Sequence, residues 1–331
     1  MTDTPAPVVL LTDRAWSDDT IERRVLEAAG LRLVCGPADP APAATIEALA
    51  AEHQPAAILT CWAQVSTAAI EKVAGLRIVA RMGVGLDNIA VDTATERGVL
   101  VTNVPDYCVE EVSDHAVGLA LAWTRGLVAA DREVRSGRWN PAGARLRRLS
   151  ALTCGVVGYG RIGRTTAMKL MALGVRVAIS DPHPPADTGG AAVLGLDELL
   201  ATCDIVILHA PLTAKTRHLI GERELALMPA GALLINVSRG GLVDNAAVIA
   251  SLQAGHLGGL GLDVLEEEPS VPAELLTHPG VVITPHIAFS SDASVADLRR
   301  SAAEEVVRVL RGEAPHNPCN RPDNPSRGAS S

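Results

Sequence analysis

Residues Leu152 to Asp181, LTCGVVGYGRIGRTTAMKLMALGVRVAISD, decide the fold. An apolar run through Cys154, Val156 and Val157 enters Gly158-Tyr159-Gly160-Arg161-Ile162-Gly163. An amphipathic stretch then reaches Leu173, and a second apolar run, Val175 to Ile179, leads to Asp181. The order predicted is strand, glycine turn, helix, strand, carboxylate, which is the unit that holds a dinucleotide. Gly158 permits a tight turn and Gly160 lets the backbone approach a pyrophosphate. Gly163 lets the helix lie on the strand with its N-terminal N–H groups toward the phosphates. Asp181 is placed to accept hydrogen bonds from both hydroxyls of a ribose. The same carboxylate would repel a 2′-phosphate and no Arg follows it, so NAD is expected over NADP. The other reading of Asp181-Pro182 is an ordinary turn.

The chain around this unit has an ordinary globular composition, 48% hydrophobic and 20% charged over 331 residues, with room for two domains. No apolar run is long enough to span a membrane, and Met1 to Pro7 is short and polar, unlike a signal peptide. Cys35, Cys61, Cys108, Cys154, Cys203 and Cys319 are scattered, without a C-x-x-C or a cluster with His at metal spacing. No metal is expected, and a reduced cytoplasm suits them. A net charge of −9 speaks against a nucleic-acid surface.

The first third alternates short apolar runs with helical patterns. Strands are expected at Val8–Leu11, Leu31–Cys35, Ala56–Thr60 and Leu76–Ala80, and helices at Asp18–Ala29 (capped by Ser17 or Asp18), Thr45–Glu52 and Ser66–Val73. Such alternation implies a parallel sheet covered on both faces. Arg81-Met82-Gly83-Val84-Gly85-Leu86-Asp87-Asn88 follows the last of these strands. It reads either as a loop whose backbone N–H groups receive a carboxylate or as a plain strand-to-helix turn. Val109 to Arg135 reads as one long helix after a hinge at Val104-Pro105, with His115 on it as a core or interface residue. Pro141 to Leu149, with Arg145, Arg147 and Arg148, reads as a loop, either a solvated edge or part of a phosphate-binding rim. Beyond Asp181 the strand–helix alternation continues to Val281–Thr284. Residues just past the strand ends are therefore the chemical candidates: Ala210-Pro211, Val237-Ser238-Arg239, Asp263 and Pro285-His286.

Three further stretches carry a family resemblance: Asn236-Val237-Ser238-Arg239-Gly240-Gly241-Leu242-Val243-Asp244, Gly261-Leu262-Asp263-Val264-Leu265-Glu266-Glu267-Glu268-Pro269 and Thr284-Pro285-His286-Ile287-Ala288. With the Arg81–Asn88 loop and the glycine motif, in this order, the chain from about Val8 to Pro318 resembles the NAD-dependent D-isomer-specific 2-hydroxyacid dehydrogenases. The stretch from Val104 to His115 leans toward the branch of phosphoglycerate dehydrogenases and C-terminal-binding proteins. The resemblance implies reversible reduction of a 2-keto acid to a D-2-hydroxy acid, and it implies roles. Arg239 would grip the carboxylate and carbonyl with its planar fork. His286 would give the proton to the developing alkoxide, and Glu268 would accept the other ring N–H and fix the ring. Among the three adjacent glutamates only the following Pro269 singles out Glu268. Formate dehydrogenases of this fold carry Gln in its place, so Glu268 speaks against that activity.

By the same resemblance Val84 and Gly85 would bond the substrate carboxylate, and Asp263 the nicotinamide carboxamide. Tyr159, Arg161, Ile162, Ala210, Pro211, Thr216, Val237, Ser238 and Ala288 would line the cofactor. Arg81 and Tyr107 suit a phosphorylated or otherwise dianionic acid. Phe289, the chain's single Phe, stands where the C-terminal-binding branch has Trp, and it would either pack on the substrate or cap the cleft. The appended regulatory domains of long phosphoglycerate dehydrogenases are not expected, and Glu313 to Ser331 reads as a mobile tail. The architecture expected is α/β: two Rossmann-like, doubly wound parallel-sheet domains with the active-site cleft between them. Residues 1–102 and 289–331 would bind substrate, and residues 103–288 NAD. The family is commonly dimeric through the cofactor domain, so a homodimer is expected. An NAD(H)-sensing binding protein like the C-terminal-binding corepressors is the alternative to an enzyme.

Overall fold

The computed structural model describes residues 5–143 and 146–322. Arg145 and residues 323–331 of the expected tail lie outside the described residues. The chain divides into two compact units, one running to Tyr107 and resuming at Ser291, the other Cys108–Ser290. The reading of the sequence had put these divisions at 102/103 and 288/289.

The first unit alternates strand and helix through β1 (Val8–Leu11), α1 (Thr20–Ala28), β2 (Arg32–Cys35), α2 (Ala43–His53), β3 (Ala57–Thr60), α3 (Thr67–Glu71), β4 (Ile78–Arg81), α4 (Val91–Glu96) and β5 (Leu100–Thr102). Its five strands are parallel, in the order β2-β1-β3-β4-β5. Because successive side chains on a strand face opposite ways, β1 serves two cores. Val9 and Leu11 pack with Leu26, Leu298, Ala302 and Val306, whereas Leu10 packs with Ala50, Ile70 and Ala94.

The second unit contains α5 (Val109–Thr124), α6 (Leu127–Arg135), β6 (Thr153–Val157), α7 (Arg161–Ala172), β7 (Arg176–Ser180), β8 (Ala192–Val193), α8 (Leu196–Thr202), β9 (Ile205–Leu208), α9 (Glu222–Leu227), β10 (Ala232–Asn236), α10 (Asn245–Gln253), β11 (Leu257–Leu262), α11 (Ala273–Thr277) and β12 (Val281–Ile283). The last helix, α12 (Asp292–Leu310), belongs to the first unit, where it packs on α1, β3 and β4. The seven strands of the second unit are parallel, in the order β12-β11-β10-β9-β6-β7-β8. This is the doubly wound arrangement, with the strand order reversing between β6 and β9, where such sheets open a crevice for a ligand. The α/β fold with two parallel sheets is as expected.

Several local expectations are corrected. The long helix over Val109–Arg135 is two helices, because Gly126 takes a left-handed φ of 59° that an α-helix cannot continue through. Helix α1 begins at Thr20 with Asp19 as its N-cap residue; Asp18 instead accepts the Thr20 N–H, at 2.9 Å. The short elements α4, β5, β8 and α11 had not been anticipated. Among the described residues no helix is long and apolar enough to cross a membrane, and no group of three or more His, Cys, Asp or Glu is placed to hold a metal ion.

Candidate active site

The glycine turn joins β6 to α7 at the strand-order reversal. A Cβ on Gly158 would lie 2.7 Å from the Ala210 nitrogen and the residue has φ 92°, so only glycine fits. A Cβ on Gly163 would lie 2.0 Å from the Gly158 carbonyl oxygen, which requires glycine for the helix to seat on the turn. Gly160 differs: a Cβ there would meet no protein atom within 4 Å, and as N-cap of α7 it makes no side-chain cap. Protein packing therefore does not demand this glycine, and the space over an uncapped helix N-terminus suits a pyrophosphate. Asp181, at the end of β7, accepts the Tyr159 N–H at 2.7 Å and the His183 N–H at 2.8 Å. The carboxylate thus shapes the turn and keeps lone pairs for ribose hydroxyls. These residues fit a dinucleotide.

Other predicted cofactor residues lie at or beyond strand ends of the same sheet. Ala210 and Pro211 follow β9. Ser238 Oγ donates to the Leu208 carbonyl, tying the end of β10 to β9 at 2.9 Å. The Thr216 hydroxyl donates to the Pro211 carbonyl at 2.6 Å and closes its own loop, and the Tyr159 hydroxyl donates to the Thr188 carbonyl at 2.7 Å. Val237 and Ala288 are buried.

Past the ends of β11 and β12, Asp263 is the organising group, 2% exposed. Its Oδ1 accepts the Thr284 hydroxyl at 2.6 Å and the Ile287 N–H at 2.9 Å, and its Oδ2 accepts the Ala288 N–H at 2.8 Å. Its backbone carbonyl accepts the His286 N–H, also at 2.8 Å. This cage holds a turn in which His286 takes a φ of 53°, in the left-handed region that a non-glycine residue enters at a cost of about 1–2 kcal/mol. The His286 Nδ1 stands 2.9 Å from Glu268 Oε2, while Glu268 Oε1 accepts the Leu265 N–H at 3.0 Å. Burial alone would raise the Glu268 carboxyl, but the hydrogen bond and charge of His286, the Leu265 N–H and the Arg239 charge outweigh it and hold it below its ordinary value. The three glutamates are thereby distinguished. Glu268 meets His286, Glu266 is bound by His218 at 2.6 Å and Arg217 at 3.2 Å, and Glu267 is exposed.

Arg239 opens the short 3₁₀ turn Gly240–Leu242 just past β10, and its guanidinium donates to the Ser238 carbonyl at 2.8 Å. Asn236, fully buried, donates to the Arg239 carbonyl and accepts the Ser238 N–H, fixing the backbone on both sides. A Cβ on Gly240 would lie 1.9 Å from the carbonyl carbon and oxygen of Leu265, so this glycine allows the Arg239 turn to abut the Leu265–Glu268 loop. The rings of Phe289 and His286 meet edge to face, with centroids 6.4 Å apart.

The remaining predicted substrate residues are in the first unit. Arg81 ends β4 and is 6% exposed, with a guanidinium hydrogen bond to the Met82 carbonyl and a buried Nε that has no hydrogen-bond partner. The carbonyls of Gly83 and Val84 are held by the Val104 N–H and the Asn103 side chain, at 3.1 and 2.8 Å. Tyr107 packs against the core that contains Val104. The structure adds Leu265 through its N–H and Thr284, to which no role had been given, and it brings His115, expected as a core or interface residue, to Thr284, with its Nε2 2.9 Å from Thr284 Oγ1. Thr284 stands two residues before His286, and its polar type was the available signal.

Residues 117–288 match the family model for the NAD-binding domain of D-isomer specific 2-hydroxyacid dehydrogenases. A D-3-phosphoglycerate dehydrogenase from Methanocaldococcus jannaschii is 38% identical over 260 residues, covering 77% of this chain and 50% of that protein. A glyoxylate reductase from Thermococcus litoralis is 38% identical over 262 residues, covering 76% of this chain and 79% of the reductase. The chain thus spans about half the length of the first relative and most of the second. Among solved structures, that of D-lactate dehydrogenase from Aquifex aeolicus, complexed with NAD and lactic acid, superposes with a TM-score of 0.83 at 30% identity, covering 92% of this chain and 96% of that one. The chain belongs to the D-isomer-specific 2-hydroxyacid dehydrogenases, a family of NAD-dependent oxidoreductases, and its second unit holds that family's NAD-binding domain.

Proposed function

We propose that the protein interconverts a D-2-hydroxy acid and its 2-keto acid, with His286 as the acid–base group, Glu268 as its partner and Arg239 as the carboxylate anchor. The observation that carries this reading is the 2.9 Å contact between His286 Nδ1 and Glu268 Oε2. With Glu268 held as a carboxylate, the Nδ1 proton is fixed toward it, so Nε2 is the atom left to serve the substrate. In reduction Nε2 gives a proton to the carbonyl oxygen; in oxidation it takes the hydroxyl proton back. Arg239 binds the substrate carboxylate and draws charge toward the carbonyl oxygen. Bound NADH supplies the hydride to the carbonyl carbon.

In the same reading Gly158 to Gly163 bind the pyrophosphate, Asp181 the ribose, and Asp263 the nicotinamide carboxamide through the unused lone pair of Oδ2. Backbone N–H groups of Val84 and Gly85 bond the substrate carboxylate, and Phe289 contacts the substrate. The first unit is the substrate domain. Arg81 adds affinity for an acid with a second negative group. The protein is a homodimer through the second unit, a reading supported by α6, which buries none of its residues, and by Leu127, Val134, Trp139 and Leu146, all at least 45% exposed. Six free cysteines suit the cytoplasm.

The test is oxidation of NADH, with NADPH in parallel, against 2-keto acids from glyoxylate and pyruvate through hydroxypyruvate and phenylpyruvate to phosphorylated analogues. At least one should turn over, and His286→Gln should lower that turnover by about 10²- to 10⁴-fold while NADH still binds. NADH binding without turnover of any acid would overturn the enzyme reading in favour of a cofactor-sensing protein.

A further inference from the structure

We propose that His115 is a positioning residue for the turn that carries His286, acting through Thr284 and Asp263. The assignment rests on reading His286 as the acid–base group. Within the second unit, Thr284 Oγ1 donates to the Asp263 carboxylate at 2.6 Å, a short charge-assisted bond that uses its single proton. Toward His115 Nε2, 2.9 Å away, the same hydroxyl oxygen is therefore the acceptor and the ring nitrogen carries the hydrogen. His115 Nε2 also lies 3.8 Å from Asp263 Oδ1. Among the described residues it is the basic side chain that reaches this buried carboxylate.

The brace matters because of what Asp263 holds. Its carboxylate receives the N–H groups of Ile287 and Ala288, and its carbonyl receives that of His286, the residue with the left-handed backbone. A backbone in that region persists only where its surroundings hold it. His115 fixes the direction of the Thr284 hydroxyl, the hydroxyl fixes one oxygen of Asp263, and Asp263 fixes the turn.

The reach of His115 follows from how α5 lies on β11. A Cβ on Gly259 would fall 2.0 Å from Trp123 Nε1, so this glycine lets the helix down onto the strand, and Leu119 lies over Gly261, its Cβ 3.4 Å from where a Cβ there would stand. His115, Leu119 and Trp123 are four residues apart on the helix, about 6 Å per step. Asp263, Gly261 and Gly259 are two apart along the strand direction, about 6.6 Å per step. The repeats match, so seating Leu119 and Trp123 on the glycines brings His115 to the Asp263 end.

The test compares His115→Ala, His115→Gln, Thr284→Val and the double variant His115→Ala/Thr284→Val. In each, amide exchange over residues 284–290 is measured in the free protein, with thermal midpoint, kcat and KM. His115→Ala should speed exchange of the Ile287 and Ala288 amides by about tenfold. It should also lower kcat by about tenfold with KM for the keto acid unchanged, the signature of a displaced group. His115→Gln, which can donate from its Nε2, should recover most of both. Thr284→Val should match His115→Ala, and the double variant should be no worse than either single. Unchanged exchange, multiplicative losses in the double variant, or a lowered thermal midpoint with kcat intact would each overturn the brace. Failure of the wild type to reduce any 2-keto acid would overturn the proposed function instead, and the exchange data would judge the brace alone.

Discussion

Replacing Gly240 with Ala should separate Arg239 from the His286–Glu268 pair. The added Cβ would stand 1.9 Å from the carbonyl carbon and oxygen of Leu265 and 2.3 Å from the Glu266 nitrogen. Ordinary carbon contacts lie at about 3.5 Å, so the two segments must part by roughly 1.5 Å. All three neighbours are backbone atoms, and no rotamer change relieves the clash. Leu265 holds Glu268 through its N–H, so the displacement moves the Glu268–His286 pair relative to Arg239. A misplacement of about 1 Å costs about 10² in rate, or roughly 2.7 kcal/mol. Overpacking should also lower stability by about 1–3 kcal/mol. The assay is steady-state kinetics with NADH and the keto acid found to turn over, together with the thermal midpoint and NADH binding. Gly240→Ala should lose kcat/KM by about 100-fold while NADH binding changes little. Gly118→Ala is the control, since it lies on the exposed side of α5 with no atom within 4 Å and should stabilise by about 0.5–1 kcal/mol with activity unchanged. A folded Gly240→Ala protein with nearly wild-type kcat/KM would refute the claim that the close approach of these two segments sets the site.

Glu22 is fully buried in the first unit against Arg299, which also binds Asp18 and lies over the Trp16 ring. Glu22→Ala should cost about 3–5 kcal/mol in denaturant unfolding by stranding a buried charge, and Glu22→Leu/Arg299→Leu should recover most of it; a loss below about 1 kcal/mol would dismiss the pair as a determinant of stability. Burial lowers the His209 imidazole from its ordinary value to about 3. The unfolded chain therefore takes up this proton first as pH falls below about 6.5, stability drops progressively toward pH 3, and by pH 5 the loss is about 2 kcal/mol. His209→Gln, which keeps a partner for Thr166, should flatten the stability profile between pH 7 and 5, and an unchanged slope would refute the assignment. Arg81→Ala should weaken a dianionic keto acid more than pyruvate in competition kinetics; equal losses would remove Arg81 from recognition of a second anionic group.

Alternation of apolar runs with helical periodicity was enough to read two parallel sheets from the chain, and most strand positions fall within a residue or two of their expected places. Elements too short for their periodicity to register escaped, among them α4, β5 and β8. The break between α5 and α6 escaped because Gly126 sits within an apolar pattern that runs on at helical spacing, and α6 turns out to bury none of its side chains. In the candidate site, Arg239, Glu268 and His286 were legible through their place after strands and the resemblance of the surrounding motifs. The geometry of Glu268 was not. Pro269 singled out Glu268 among three consecutive glutamates, but their partners come only with the fold, in which Glu266 meets His218 and Arg217 while Glu268 meets His286.

The glycine turn and its carboxylate are local matters. Gly163, Asp181 and the positive φ of Gly158 follow from the few residues that connect β6, α7 and β7, whereas the Ala210 contact that also excludes a side chain at Gly158 comes from the end of β9. His115 is the opposite case. It is separated from Thr284 by 169 positions, and its polar character on a largely apolar helix says nothing of its partner. The partner is set by the seating of Leu119 and Trp123 on Gly261 and Gly259, a match between helix rise and strand rise that exists only once the two elements pack. Short-range spacing encodes turns and strand ends, whereas the pairing of side chains across elements depends on the register with which those elements close.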